Sequence, residues 1–376
     1  MIFLLFVSLV GWVLWSLYTI LCYPRMLVAG KTVLITGGAS GVGKCLATRF
    51  LQQGAKVHVW DHSIEKLEQL SLEAQTILSN NYKGDKNTTY NPNEKRDKCD
   101  GKSGDSECFR IVCDTNAGPV TFFTTTVVDL ANRFQIRRLV SQMEPVDIIV
   151  NAASNRSSKA FFEHTEEAIE KIMQVNAICP LVLARAFLPS MLHKKDGHFV
   201  TITNVNGILG DAAQPDFSAS QWAAVGAHES IQMLIRREGG CGRVRTTLFC
   251  PYNISCSPCC NVPPSSCAAT PNPNASTHVP SGGLTARKNN VGILRRYLNP
   301  IRYTLTPSEA AEICMWAILH GVERVCTPYS LLFIAALRVL PVPWFMRLVA
   351  PTATAQTRPA SCVGSAAQGA GKSKEC

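Results

Sequence analysis

Apolar and polar positions along the chain fall into two alternating periods. Lys31–Thr36 is a short apolar run with β-branched residues that stops at glycines, the pattern of a buried strand entering a turn. Helical spacing follows from Val42 to Gln53, and Gly54 closes it. Further short runs at Ala55–Trp60, Val120–Val128, Val146–Val150, His198–Thr203 and Val244–Phe249 predict strands. Helical spacing at Ile64–Leu78, from about Glu163 to Leu192 and from about Phe217 to Arg237 predicts helices, with Pro180 and Pro189 perturbing the second. Strands alternating with helices predict an α/β fold: one domain over residues 25–330 with a doubly wound parallel sheet covered on both faces.

Four stretches depart from the alternation. Residues 1–24 carry no charged side chain and are long enough to span a bilayer as a helix. A cleaved signal peptide would want a basic start, a shorter apolar stretch and a small-residue cleavage site, and Cys22-Tyr23-Pro24-Arg25 offers none of these. The expectation is an N-terminal transmembrane anchor. Arg25 and Lys31 follow it, which favours a single-pass protein with the body in the cytosol, on the endoplasmic reticulum or another intracellular membrane. Residues 80–119 are polar, with both charges balanced, and predict a disordered insertion. Residues 331–350 are apolar but interrupted by Arg338, Pro341, Pro343 and Arg347, which suits an interfacial segment better than a spanning helix. Residues 351–376 read as a flexible tail.

Composition narrows the function classes. The chain has 376 residues, 46% hydrophobic, a net charge of +10 and 16 cysteines. Whole-chain disorder and a small disulfide scaffold are excluded. In a reducing compartment the cysteines are free thiols; Cys256, Cys259, Cys260 and Cys267 lack a second well-spaced pair, so no metal is expected. Half of the net charge (Arg287, Lys288, Arg295, Arg296, Arg302) falls in an acid-free stretch between Thr246 and Pro307. Such a loop suits an anionic membrane surface, and a solvated loop explains it equally well. No nucleic-acid motif accompanies the charge.

Thr36-Gly37-Gly38-Ala39-Ser40-Gly41-Val42-Gly43 lies between a predicted strand and a predicted helix. Glycines allow positive φ and close approach of backbone to ligand, and the helix N-terminus offers unpaired N–H groups to a pyrophosphate. Asp61 ends the next strand, where a carboxylate binds the ribose hydroxyls of NAD and repels the 2′-phosphate of NADP. With this T-G-x-x-x-G-x-G spacing the chain resembles the short-chain dehydrogenase/reductase family over about residues 30–330, which implies a Rossmann-type fold. The resemblance implies cofactor-binding roles for Gly37, Ser40, Gly41, Val42, Gly43, Asp61, Asp129, Leu130, Asn151, Ala152, Ala153, Gln221 and Pro251. Asn151-Ala152-Ala153 is a variant of the family's N-A-G turn, and Asn176 matches the asparagine that holds a relay water. The anchor, His228-Glu229-Ser230, Cys250-Pro251-Tyr252 and Cys326-Thr327-Pro328 look most like the membrane-bound retinol dehydrogenases. That likeness implies a lipophilic ligand of retinoid or sterol class, a substrate-side loop over 251–306, and a homodimer through the two long helices.

The family's catalytic positions are substituted. A tyrosine exchanges a proton with substrate, a lysine four residues on lowers the phenol pKa, and an upstream serine binds the substrate oxygen. Here these positions are Phe217, Gln221 and Asn204, and only Asn176 of the four-residue relay remains. No tyrosine or lysine lies between Asn204 and Pro251, so no register shift restores the pair. Phe217 has no exchangeable proton and Gln221 brings no charge. The expectation is an NAD-binding pseudoenzyme. The alternative is a working oxidoreductase in which Tyr252, Ser218 or His228 has taken over.

Overall fold

The computed structural model describes residues 11, 25–81, 88–89, 95–98, 107–115, 118–157, 159–239, 243–255 and 304–327. The expected anchor (apart from Gly11), the Cys256–Cys267 cluster, the basic residues 287–302, the 331–350 segment and the tail lie outside them. The strands are β1 Thr32–Thr36, β2 Lys56–Asp61, β3 Thr88–Thr89, β4 Lys95–Lys98, β5 Glu107–Thr115, β6 Gly118–Val127, β7 Ile148–Asn151, β8 Gly197–Ile202, β9 Val244–Pro251 and β10 Arg324–Thr327. The helices are α1 Gly41–Gln52, α2 Ile64–Asn81, α3 Arg133–Gln142, α4 Glu166–Lys194, α5 Pro215–Arg237 and α6 Pro307–His320.

Seven strands run parallel in the order β10-β9-β8-β7-β1-β2-β6. Successive side chains on a strand face opposite sides, and the two faces have separate cores. Val33 and Ile35 of β1 pack with Phe50 of α1, Leu67 of α2 and Ile318 of α6. Leu34, between them, packs with Ile136 of α3, Leu183 and Phe187 of α4 and Ile231 of α5. The expected doubly wound parallel sheet is therefore present, with three α-helices on each face among the described residues. Helix α4 is also long and apolar enough to cross a membrane, but just over half of its most apolar stretch (56%) is buried within the protein. It is a core helix.

The expectation of a disordered stretch over 80–119 fails where the chain forms strands. β5 pairs antiparallel with β6 from Cys108↔Thr126 to Thr115↔Gly118, and β3 and β4 pair with β5, extending the sheet outward. The apolar run Phe109-Arg110-Ile111-Val112-Cys113 is diluted by charged neighbours when the stretch is read as a whole. Paired against β6 it places Ile111 in the core, 1% exposed.

Helices α3 and α6 and strand β10 had no counterpart in the periodicity. Thr306 caps α6 in a full capping box, its hydroxyl accepting from the Glu309 N–H while Glu309 accepts from the Thr306 N–H. The sequence Thr306-Pro307-Ser308-Glu309 carries that signal. In α4 the regular hydrogen bonding is interrupted at Gln174–Ile178 by a π turn. Pro180 follows and lacks the N–H that would close on the Asn176 carbonyl.

Candidate functional site

Chain order reverses between β1 and β7, so the loops leaving their C-terminal ends diverge and open a crevice. Thr36 stands opposite Asn151 across that switch point. The glycine turn leaves from one side and Asn151-Ala152-Ala153 from the other, and they meet tightly. A Cβ on Gly37, whose φ is +67°, would lie 2.5 Å from the Ala153 Cα; one on Gly43 would lie 2.3 Å from the Gly37 oxygen. Gly41, at φ +54°, has open space where its Cβ would be. Ser40 precedes α1 without a side-chain cap, and the first turn holds no acid, so the amides of Gly41, Val42 and Gly43 remain to be satisfied. These features fit a dinucleotide pyrophosphate.

Asp61 is 4% exposed at the end of β2. Its carboxylate accepts from Ala39 N at 3.1 Å and His62 N at 2.8 Å, and lies 3.1 Å from His62 Nδ1. Burial alone would raise its pKa, but the hydrogen bonds from His62 and Ala39 outweigh it and hold the carboxyl below its ordinary value. The same contact pushes the His62 pKa up. Val128 N bonds Asp61 O, which brings Asp129 and Leu130 to the same edge. Asp129 accepts from Ala131 N and lies 3.7 Å from Lys171 Nζ. Asn151 donates to Val200 O at 3.1 Å, and its buried Oδ1 has no partner among the described residues. Pro251 ends β9 at the same edge, opposite Thr327. Every sequence-predicted site residue thus lies on the C-terminal side of the sheet or on the helices that follow.

The substituted positions come together as the spacing requires. Phe217 and Gln221 lie one turn apart on α5, 4% and 3% exposed. Gln221 Nε2 reaches Ser154 Oγ at 3.5 Å, and Asn176 Nδ2 donates to Ser220 Oγ at 2.9 Å. Asn176 also accepts from Asn155 N at 2.6 Å and donates to Asn155 O at 2.9 Å, fixing the loop after β7. Asn204 accepts from Asn206 N at 3.1 Å, which turns the chain after β8.

The family model described as short chain dehydrogenase matches residues 31–85 and 109–260. The chain belongs to that family. The unmatched gap, 86–108, contains β3 and β4. Mouse epidermal retinol dehydrogenase 2 is 28% identical over 244 residues, covering 63% of this chain and 65% of that protein, a little under two thirds of its length. Human retinol dehydrogenase 10 is 25% identical over 334 residues, covering 86% of this chain and 80% of that protein. The chain is thus a member of the short-chain dehydrogenase family that resembles retinol dehydrogenases. Among solved structures, a short-chain dehydrogenase/reductase from Burkholderia phymatum in complex with NAD has a TM-score of 0.57 at 18% identity, covering 85% of this chain and 96% of that one. One from Burkholderia cenocepacia in complex with NADP has a TM-score of 0.55 at 17% identity, covering 86% and 99%. They share the fold.

Within this short-chain dehydrogenase the three groups considered as substitute acids are unequally placed. Ser218 is buried, with Oγ accepting from Asp211 N at 3.0 Å. His228 is 2% exposed on the buried face of α5, its Nδ1 2.9 Å from Thr201 Oγ1, and burial lowers its pKa to about 4. Both belong to the core. Tyr252 follows Pro251 at the sheet edge and is also buried, in an apolar cluster with Val205 and Leu248, and that burial raises its phenol pKa.

Sequence reasoning missed Arg156, five residues past Asn151 in the loop after β7. Its guanidinium lies over the Phe217 ring, 5.6 Å from the centroid, and its Nε donates to Gln214 Oε1 at 2.5 Å. Gln214 in turn donates to Ser157 O at 2.9 Å. The family landmarks give no signal for this clamp, because its members sit just outside the motifs. Also missed was the pair His164 Nδ1–Asp216 Oδ2 at 2.6 Å, both side chains buried, which pins the end of the same loop to the start of α5.

Proposed function

We propose that this chain is a membrane-anchored, dinucleotide-binding protein of retinol dehydrogenase type in which standard hydride transfer is lost or strongly impaired. The observation that carries the reading is Phe217, buried and lying under Arg156 where a proton-exchanging phenol is needed. A bound NAD(H) supplies or accepts the hydride in this family; the protein must move the proton, and neither Phe217 nor Gln221 can do so. General acid–base groups contribute about 10²–10⁴ in rate, and losses within one relay do not add. Asp61, held ionised, favours NAD over NADP. The names of the relatives support a retinoid ligand. Exposed Leu181 on α4 and Met233 on α5 support pairing of two copies through these helices. The uncharged start of the chain supports anchoring in the endoplasmic reticulum or another intracellular membrane with the body cytosolic.

The second reading is a working oxidoreductase on a lipophilic alcohol or carbonyl. Tyr252 favours it, as the one tyrosine at this sheet edge among the described residues. The test is full-length protein in membranes, titrated with NADH and NADPH and assayed for retinol oxidation in the same preparation. NADH binding without turnover above empty membranes is expected. Wild-type turnover well above that control refutes the pseudoenzyme reading, and loss of it in Tyr252→Phe would establish the second.

A further inference from the structure

A short-chain dehydrogenase that moves a proton needs a group that both donates and accepts. The group lying over the Phe217 ring is of another kind. Arg156 has five N–H donors, no acceptor and a permanent charge. Its Nε is taken by Gln214 Oε1 and one of its faces by the Phe217 ring; no other acceptor bonds the guanidinium among the described residues. Asn204 directs its oxygen inward to Asn206 N, which leaves its amide N–H groups without a partner among the described residues. Ser154 Oγ accepts from Gln221 and keeps its own proton to donate. Arg156 and Ser154 are exposed, facing away from the core.

The nearby carboxylates do not neutralise this cation. Asp216 bonds His164 through Oδ2, and Asp211 accepts from Ala213 N and lies 3.5 Å from Asn206 Nδ2; both are buried. The loop that carries Arg156 also carries Phe161 and Phe162, edge to face at 5.4 Å, with Phe162 96% exposed. A cation held on Phe217 and an exposed aromatic ring on the same loop match an anion on an apolar tail.

We infer that this site takes a lipophilic carboxylic acid, with the carboxylate on Arg156, in place of the neutral alcohol its fold-mates oxidise. The inference rests on the reading of the site as non-catalytic. Carboxylate oxygens only accept, guanidinium pairs with them in two parallel hydrogen bonds, and such charge-assisted bonds are the strong ones. An alcohol brings no charge to pair with the guanidinium and forgoes those charge-assisted bonds.

The experiment compares matched pairs, all-trans-retinoic acid with all-trans-retinol and hexadecanoic acid with hexadecan-1-ol. Full-length protein in neutral detergent, saturated with NADH, is titrated by tryptophan quenching or calorimetry. The acids are expected to bind about ten- to a hundredfold more tightly than the alcohols. Arg156→Met should abolish that preference while leaving NADH affinity within about twofold, since Arg156 touches no part of the glycine cradle. Equal binding of acid and alcohol, or a preference that survives in Arg156→Met, overturns the inference. If Arg156→Met does not fold, the salt dependence of the wild-type protein decides: the preference must shrink as ionic strength rises, and one indifferent to salt overturns it. NADH binding is measured on the same samples. Its loss would count against the dinucleotide reading, whereas intact NADH binding without acid preference would remove the head-group inference alone.

Discussion

Lowering the pH should unfold this protein from within. His198 is fully buried in β8, and burial, with Arg245 and His228 nearby, depresses its pKa to about 3. His228 lies on the buried face of α5, with a pKa depressed to about 4 by burial and by Arg324. Thr247 Oγ1 donates to Val322 O at 2.8 Å, so it can only accept from His198 Nε2, 2.9 Å away. His198 Nδ1 and His228 Nε2 are buried without partners among the described residues, and no acceptor there would stabilise a second proton. Unfolded, each imidazole titrates near its ordinary 6.5. Because the folded values are lower, the unfolded chain binds more protons below pH 6.5, and stability falls as pH falls from there until the folded values are reached. At about pH 5 each histidine costs about 2 kcal/mol relative to neutral pH, out of the roughly 5–15 kcal/mol of a typical domain. The two imidazoles repel each other once charged, so about 4 kcal/mol for the pair is an order-of-magnitude figure. Urea unfolding followed by tryptophan fluorescence from about pH 7.5 down to about pH 5 reads this directly. The slope should approach two protons taken up per molecule unfolded, and His228→Gln should remove about one. An unfolding free energy that is flat over this range would refute the burial of neutral imidazoles.

Three further expectations follow from single contacts. Gly43→Ala puts a Cβ 2.3 Å from the Gly37 oxygen, so NADH titration should show binding lost and a thermal melt a stability loss of about 1–3 kcal/mol. Asp61→Asn removes the ribose-side carboxylate; the ratio of NADPH to NADH affinity, measured by fluorescence titration, should rise about tenfold or more. Thr306→Ala breaks the capping box of α6 and should lower stability by about 1 kcal/mol in urea melts, with NADH affinity unchanged.

Much of the cradle was legible because backbone chemistry forces residue type. Glycine is favoured where φ is positive and required where a Cβ would meet backbone within 3 Å, so the glycines at 37, 41 and 43 are visible in sequence, and the strand length fixes where Asp61 falls. That Phe217 and Gln221 share one face of α5 was legible because one helical turn sets their spacing. Arg156 was not, since a loop residue's reach depends on how the loop is tied, here by Asn176, Gln214 and His164. Strand β5 was hidden because its pairing with β6, not its mean hydropathy, makes it a strand. His198 and His228 look like ordinary polar positions in a strand and a helix; only packing of α5 over β8 and β9 makes them titratable liabilities.

The π turn at Gln174–Ile178 has a consequence for engineering. A π turn is an α-helical turn lengthened by one residue, kept despite poorer hydrogen bonding. Deleting one residue there would give α4 a regular ladder, apart from the gap at Pro180, and a more stable isolated helix. The flanking turns would keep their faces, because the lengthened turn already absorbs the extra residue, but the residues within it would be redistributed around the axis. Asn176 would then swing away from Asn155 and Ser220, and the loop bearing Arg156 would lose its tether. A sequence optimised for helix stability alone would therefore select against the site.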